Sequence, residues 1–362
     1  MVISMKEIKE MTPKKWGILS IILIFALVAG MGLLTYIVDP YFHFHAPIEG
    51  LSYRLYEQRY INDGISRHFE YDTIVIGNSL SENVKTTQVD ELFHCQSIKL
   101  PYSGAGYKEL WESIERAISY NPEVKDVFVF FDVEDAMRDK DYVRYSDCPE
   151  YLYDNNLFND ATYLWNKDVF YRGTIYSLLM SLTGAESTTF DEYSAKVKET
   201  GADVVIPQIG ELPSPEEASE MSYDDELEQM VCDNVNANII RVTEMHPEVS
   251  FHLIYAPPSI ARWAKYYRWG DMQCRIESKK TVTSMLLQQK NIEIYTFQND
   301  FDLVCNLDNY QDTVHYKPEI CEYIFDSIAQ GKCRLTSDNY DSYFEEIENF
   351  YTEYDYQSFR ME

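Results

Sequence analysis

The chain has 362 residues, 45% of them hydrophobic and 15% aromatic, enough to pack one large domain or two small ones. Its formal net charge is −29, and the first fifteen residues hold four lysines (Lys6, Lys9, Lys14, Lys15) against Glu7 and Glu10, which leaves about −31 for the remainder. A surface this acidic repels phosphate backbones, so nucleic-acid binding is disfavoured.

The uncharged run from Trp16 to Val38 is long enough, at about 1.5 Å per residue, to cross a hydrocarbon core of about 30 Å. Lys14 and Lys15 precede it. The positive-inside rule therefore predicts a cytoplasmic N-terminus (1–15), a single-pass anchor in the cell membrane (16–38) and an extracytoplasmic main domain. A cleaved signal peptide would have a shorter apolar core and a small-residue cleavage site, whereas this run leads into Tyr36, Asp39, Pro40 and Tyr41. Residues 39–70, rich in Tyr and His, read as a juxtamembrane connector. His43 and His45 lack an apparent third metal ligand, so they read as part of an interfacial aromatic segment.

Short apolar runs follow at 72–77, 96–100, 126–131, 250–256 and 292–297, most of them rich in β-branched or aromatic residues. Helical patterns lie near 106–120, 224–245, 275–290 and 318–330, the last with Pro318 in its first turn. Strands alternating with helices predict an α/β domain over 71–335, a parallel sheet with helices on both faces. Residues 136–222 break the rhythm and read as an insertion or cap over one end of the sheet. In 336–362, Tyr340, Tyr343, Phe344, Ile347, Phe350, Tyr351 and Tyr354 recur at helical spacing beside an acidic face. This predicts a final helix packed on the domain; a protein-binding helix is the sharper alternative.

The seven cysteines form no CxxC pair and no zinc spacing, and their odd number forbids complete internal pairing, so most read as buried thiols. No phosphate-binding loop and no His-Glu-x-x-His occurs, and no cofactor is expected.

Two stretches carry chemistry. Thr73-Ile74-Val75-Ile76-Gly77-Asn78-Ser79 is a strand running into a tight turn, which places Ser79 at the carboxyl edge of the sheet, near backbone donors. Asp312-Thr313-Val314-His315 puts an acid and a histidine on one loop, where His315 can take a proton from a serine and Asp312 can orient the ring. Seen alone, each has a plain structural reading.

Together, Gly-Asn-Ser-Leu-Ser at 77–81 and the late Asp-x-x-His resemble the first and last sequence blocks of the SGNH/GDSL hydrolase family, with Asn78 where the family has Asp. The resemblance implies a flavodoxin-like three-layer fold, with Ser79 as nucleophile, His315 as base and Asp312 as third triad member. It also implies an oxyanion hole from the Ser79 backbone and a glycine after the second strand, Gly104 first and Gly106 second. The family's Gly-x-Asn-Asp block is replaced by Asp132-Val133-Glu134-Asp135, and an ionised Glu cannot donate as Asn does. Either another residue substitutes, for example Asn155, Asn156 or Asn159, or the enzyme is slow or specialised, or activity is lost.

The layout is similar to the membrane-anchored branches of the group that modify envelope polymers, such as the D-alanyl-transfer protein of teichoic acid modification and the alginate O-acetylation proteins. The expectation is a serine esterase or O-acyltransferase acting on an acylated carbohydrate or other envelope polymer. A catalytically inactive binding or scaffolding protein of the same fold is the alternative. Trp263, Tyr266, Tyr267 and Trp269 suit stacking on sugar rings, with core or cap packing the competing reading.

Overall fold

The computed structural model describes residues 12–145, 148–214 and 221–359. Residues 1–11 of the expected cytoplasmic segment lie outside the described residues. The chain forms two compact units: one contains the chain up to Arg54 with Pro149–Thr188, the other Leu55–Cys148 with Thr189–Glu362.

The larger unit is built on a six-stranded sheet. Its strands are β1 (Thr73–Gly77), β2 (Ser97–Pro101), β3 (Asp126–Phe131), β4 (Ser250–Tyr255), β5 (Ile292–Thr296) and β6 (Arg334–Leu335), in the order β2-β1-β3-β4-β5-β6. The first five pair in parallel and β6 adds an antiparallel edge. All five parallel strands stand where the sequence predicts them. They are near-continuous apolar runs because both sheet faces are covered. On β3 the two faces separate by alternation. Phe128 and Phe130 meet Phe325 of the helix Pro318–Ala329. Phe131 stacks on Tyr107, the first residue of the helix Tyr107–Tyr120.

From β1 the chain moves to β2 on one side and then returns to β3 on the other. That reversal opens a crevice beyond the carboxyl ends of β1 and β3. The predicted helix at 224–245 is continuous, with a π-helical section at Val235–Ile240 between Asp225–Asn234 and Arg241–Met245. The one predicted at 275–290 runs from Met272 to Leu286, and Tyr340–Glu353 is helical with Tyr343, Phe344, Ile347 and Tyr351 buried. Cys95, Cys232, Cys274, Cys305, Cys321 and Cys333 are thiols.

Two segment assignments change. The expected connector at 39–70 is divided: its second half contains the helix Gln58–His68, which belongs to the α/β unit. Its inward face includes polar Asn62, whose amide donates to the Pro101 carbonyl at 2.8 Å and accepts from the Tyr193 hydroxyl at 2.6 Å. Apolar periodicity could not reveal such a face. The expected insertion at 136–222 is divided too, because Pro149–Thr188 packs with the N-terminal segment.

In that smaller unit the helix Pro13–Val38 is long and apolar enough to cross a membrane. Asp39 ends it in a left-handed conformation, φ 43°. Its carboxylate accepts from the backbone N–H groups of His43, Phe44 and His45 and from the Tyr163 hydroxyl. The Trp165 indole donates to the Val28 carbonyl at 2.8 Å and lies against Gly32, where a Cβ would come within 2.9 Å of the ring. His43 pairs with Asp160 at 2.9 Å, and His45 bonds to the Ala46 and Tyr36 carbonyls.

Candidate active site

The site begins with a close approach of backbones. Every residue of β1 is buried, and a Cβ at Gly77 would lie 2.6 Å from the Phe130 Cβ. Glycine thus lets the end of β1 sit hard against β3, and the chain turns immediately beyond. Asn78 caps the 3-10 turn Ser79–Ser81 through its Oδ1, which accepts from the Leu80 N–H at 3.0 Å. The turn presents Ser79 at the crevice.

The opposing residues come from the loop before the helix Pro318–Ala329. The Gln311 N–H donates to the His315 carbonyl at 2.8 Å, closing the loop on itself. Inside it, Asp312 Oδ1 accepts from the Val314 and His315 backbone N–H groups, each at 2.8 Å, and Oδ2 lies 2.7 Å from His315 Nδ1. Ser259, just after β4, ties the loop down by donating from N and Oγ to the Thr313 carbonyl. Desolvation raises the Asp312 pKa, but the hydrogen bonds from His315 outweigh it and bring the carboxyl down to about 2. Asp312 is therefore ionised at neutral pH and accepts from Nδ1–H. With Nδ1 turned to Asp312, the other ring nitrogen, Nε2, lies 2.7 Å from Ser79 Oγ. Ser79, His315 and Asp312, predicted from distant stretches, are one hydrogen-bonded chain.

Ser79 and His315 line a cavity of about 620 Å³ together with Asn78, Gly104, Glu134 and Trp269. Gly104 has φ 70°, a conformation that favours glycine. Among the described residues, neither the Ser79 nor the Gly104 backbone N–H has a hydrogen-bond partner, and neither does Asn78 Nδ2. Gly106 instead caps the helix Tyr107–Tyr120, close to the Tyr142 ring. Asn155, Asn156 and Asn159 belong to the smaller unit. There the Asn159 amide donates to Asp154 at 2.8 Å and Asn156 Oδ1 accepts from the Phe158 N–H.

Glu134, which stands where the resemblance called for an amide donor, is held by two guanidiniums. Arg262 donates to it at 2.8 Å, and Arg275 at 3.1 Å; Arg275 also bonds Asp271 at 2.6 Å. Arg138 pairs with Asp135 at 2.8 Å. Desolvation, reinforced by the Glu134 and Asp135 charges, pushes Asp132 well above the ordinary carboxylate range. Desolvation also pushes Lys279 down to about 8; its ammonium bonds Gln298 and lies 5.0 Å over the Trp263 ring. Sequence reading missed Arg262 and Arg275. They sit on the helices Ile260–Trp269 and Met272–Leu286, and their partner Glu134 is more than a hundred residues away, so no local spacing marks the pair.

The aromatic cluster is resolved residue by residue. Trp263 is buried and stacked on Tyr351 at 3.7 Å, Tyr266 is buried, and Tyr267 stacks on Tyr356. Only Trp269 of the four lines the cavity, with 44% of its surface exposed.

No family model matches the chain, and no curated protein matches it. A solved structure from Streptococcus pneumonia, provisionally described as a platelet activating factor, is similar over 76% of this chain and 89% of its own, with 13% identity and a TM-score of 0.36.

Proposed function

We propose that this chain is a membrane-anchored serine esterase or O-acyltransferase of the SGNH type, acting outside the cytoplasm on acyl esters of an envelope glycopolymer. The observation that carries the reading is the unbroken chain Ser79 Oγ–His315 Nε2–His315 Nδ1–Asp312 Oδ2, with both links at 2.7 Å. It lies at the carboxyl edge of a sheet whose parallel order, 2-1-3-4-5, is the flavodoxin-like one. Trp269, part-exposed on the cavity wall, supports a sugar-bearing substrate.

In this reading Ser79 Oγ attacks the ester carbonyl carbon while Nε2 takes the hydroxyl proton. Charge gathers on the carbonyl oxygen and meets the unpartnered N–H groups of Ser79 and Gly104. Collapse breaks the ester C–O bond, and the departing alcohol leaves with the proton from Nε2. Water or an acceptor hydroxyl then attacks acyl-Ser79 by the same route in reverse. Ionised Asp312 keeps Nδ1 protonated throughout.

The catalytically silent alternative is favoured by Glu134 in place of an amide donor. Asn78 Nδ2, unpartnered and on the cavity wall, supports the enzyme instead, as a third donor. The test is mass spectrometry after reaction with a fluorophosphonate probe. The expected result is one adduct, on Ser79, lost in Ser79→Ala and reduced by orders of magnitude in His315→Ala. A folded chain that leaves the probe unreacted would establish the silent reading.

A further inference from the structure

The smaller unit packs two helical segments together in the reverse of the arrangement that water favours. The long apolar helix Pro13–Val38 lies against the π-helical section Val169–Ile175, which runs on as the helix Tyr176–Thr183. The residues turned inward are small or hydroxylic: Gly32 and Thr35 on the first helix, Gly173, Thr174 and Ser177 on the second. Thr174 Oγ1 donates to Thr35 Oγ1 at 3.4 Å, with both residues fully buried. The bulky apolar side chains are outside. Tyr171 is 67% exposed and Leu182 82%, and Leu179 is exposed beside them, as are Leu27 and Leu33 of the long helix. A helix packed in water buries its bulky apolar stripe. Small residues between helices, with leucines outside, are the mark of packing in lipid, whose tails are as apolar as leucine.

A hydrogen bond gives the depth. The Trp165 indole, which lies against Gly32, donates to the Val28 carbonyl. Val28 is about 18 Å along the helix from Trp16, where the uncharged run begins, so in a hydrocarbon core of about 30 Å the contact falls in the half nearer Val38. An indole N–H at that level finds no water, and a helix carbonyl supplies the acceptor instead. Tyr163 reaches the opposite way, its hydroxyl donating to Asp39 at the helix end at 2.8 Å. The turn that carries both rings therefore lies between these levels. The exposed Lys167, Asp168 and Arg172 that follow can extend to the headgroups.

We infer that the segment 165–182 is a second membrane-seated element, whose Trp165, Tyr171, Leu179 and Leu182 contact the acyl chains of the leaflet at the Val38 end of the anchor. The exposed apolar surface of the anchor and that of this segment form one continuous lipid-facing patch, joined at Trp165 and Gly32. The inference rests on Pro13–Val38 crossing the membrane and is independent of the chemistry at Ser79. It makes the attachment a two-element seat, in which 165–182 holds the smaller unit at a fixed level in the bilayer.

The test places p-benzoylphenylalanine in the full-length protein at Tyr171, at Leu182 or, as a reference for lipid contact, at Leu27. Each protein is irradiated in vesicles of phosphatidylglycerol and phosphatidylcholine and in cell membranes, and mass spectrometry identifies what the residue has joined. Matched thermal melts establish that the variants are folded. The expected result is adducts to phospholipid acyl chains at Tyr171 and Leu182 in yields of the same order as at Leu27. Acyl adducts at Leu27 that are absent from either other site overturn the inference. Adducts in cell membranes to another protein, or to a second copy of this chain, in place of lipid also overturn it, since the face would then be a protein interface. Absence of lipid adducts at Leu27 as well would remove the anchor itself, and the inference with it.

Discussion

The Asn78 side chain presents two different groups. Its Oδ1 accepts from the Leu80 N–H and holds the turn that presents Ser79, while its Nδ2 has no partner among the described residues and borders the cavity. Substitution by Asp separates the two. A carboxylate keeps the acceptor, so the turn and the fold persist, but it cannot donate. Removing one oxyanion donor typically lowers kcat by about 10²–10³. Asn78→Asp is therefore expected to melt like the parent while labelling of Ser79 slows by that order; an unchanged rate would show that the amide makes no contact with the developing charge. At this scale the sequence was informative wherever partners lie close along the chain. Asp312 and His315 are three residues apart, and a tight turn after an apolar strand marked Ser79. Glu134 was recognised as anomalous, but its arginines were invisible, because an ion pair closed by tertiary folding leaves no spacing to read.

The strands were legible for a physical reason that also limits their tolerance. Each of the five parallel strands is covered on both faces, so each appears as a compact apolar run. Two-residue β6, with exposed Arg334, has no such run. The helix Ile260–Trp269 follows Pro257-Pro258, and its aromatic residues read as pocket lining when most of them are packing. Close packing puts the strictest constraint at Gly77. The Cβ of an alanine there would meet the Phe130 Cβ at 2.6 Å and its carbonyl oxygen at 3.0 Å, and neither atom is the free end of a flexible chain. β1 or β3 would have to shift at the point where Ser79 is presented. Overpacking of this kind costs about 1–3 kcal/mol. Gly77→Ala is expected to lower the melting temperature and to slow Ser79 labelling together. A loss of stability with full labelling would mean that the turn moves independently of the strand.

Across the whole molecule the charge pattern and the apolar helix act together. Pro13–Val38 has 26 residues, about 39 Å of helix against a hydrocarbon core of about 30 Å, so it can span with some tilt. Lys14 and Lys15 stand at one end, and the chain beyond the other end carries about −31. Lysines retained on the cytoplasmic side would fix the orientation, with the α/β unit and its cavity outside. Acidic residues have little influence on that choice, so the orientation should depend on the few lysines and not on the large negative domain. An alkaline phosphatase fused after Phe359 is expected to be active and a fluorescent-protein fusion at the same point dark, with the chain kept in the membrane fraction after alkaline carbonate. Replacing Lys14 and Lys15 with neutral residues should raise the share of molecules in the opposite orientation. An inactive phosphatase fusion on the unaltered chain would put Ser79 in the cytoplasm. The proposed acyl substrate would then have to be an intracellular one, with the triad geometry unaffected.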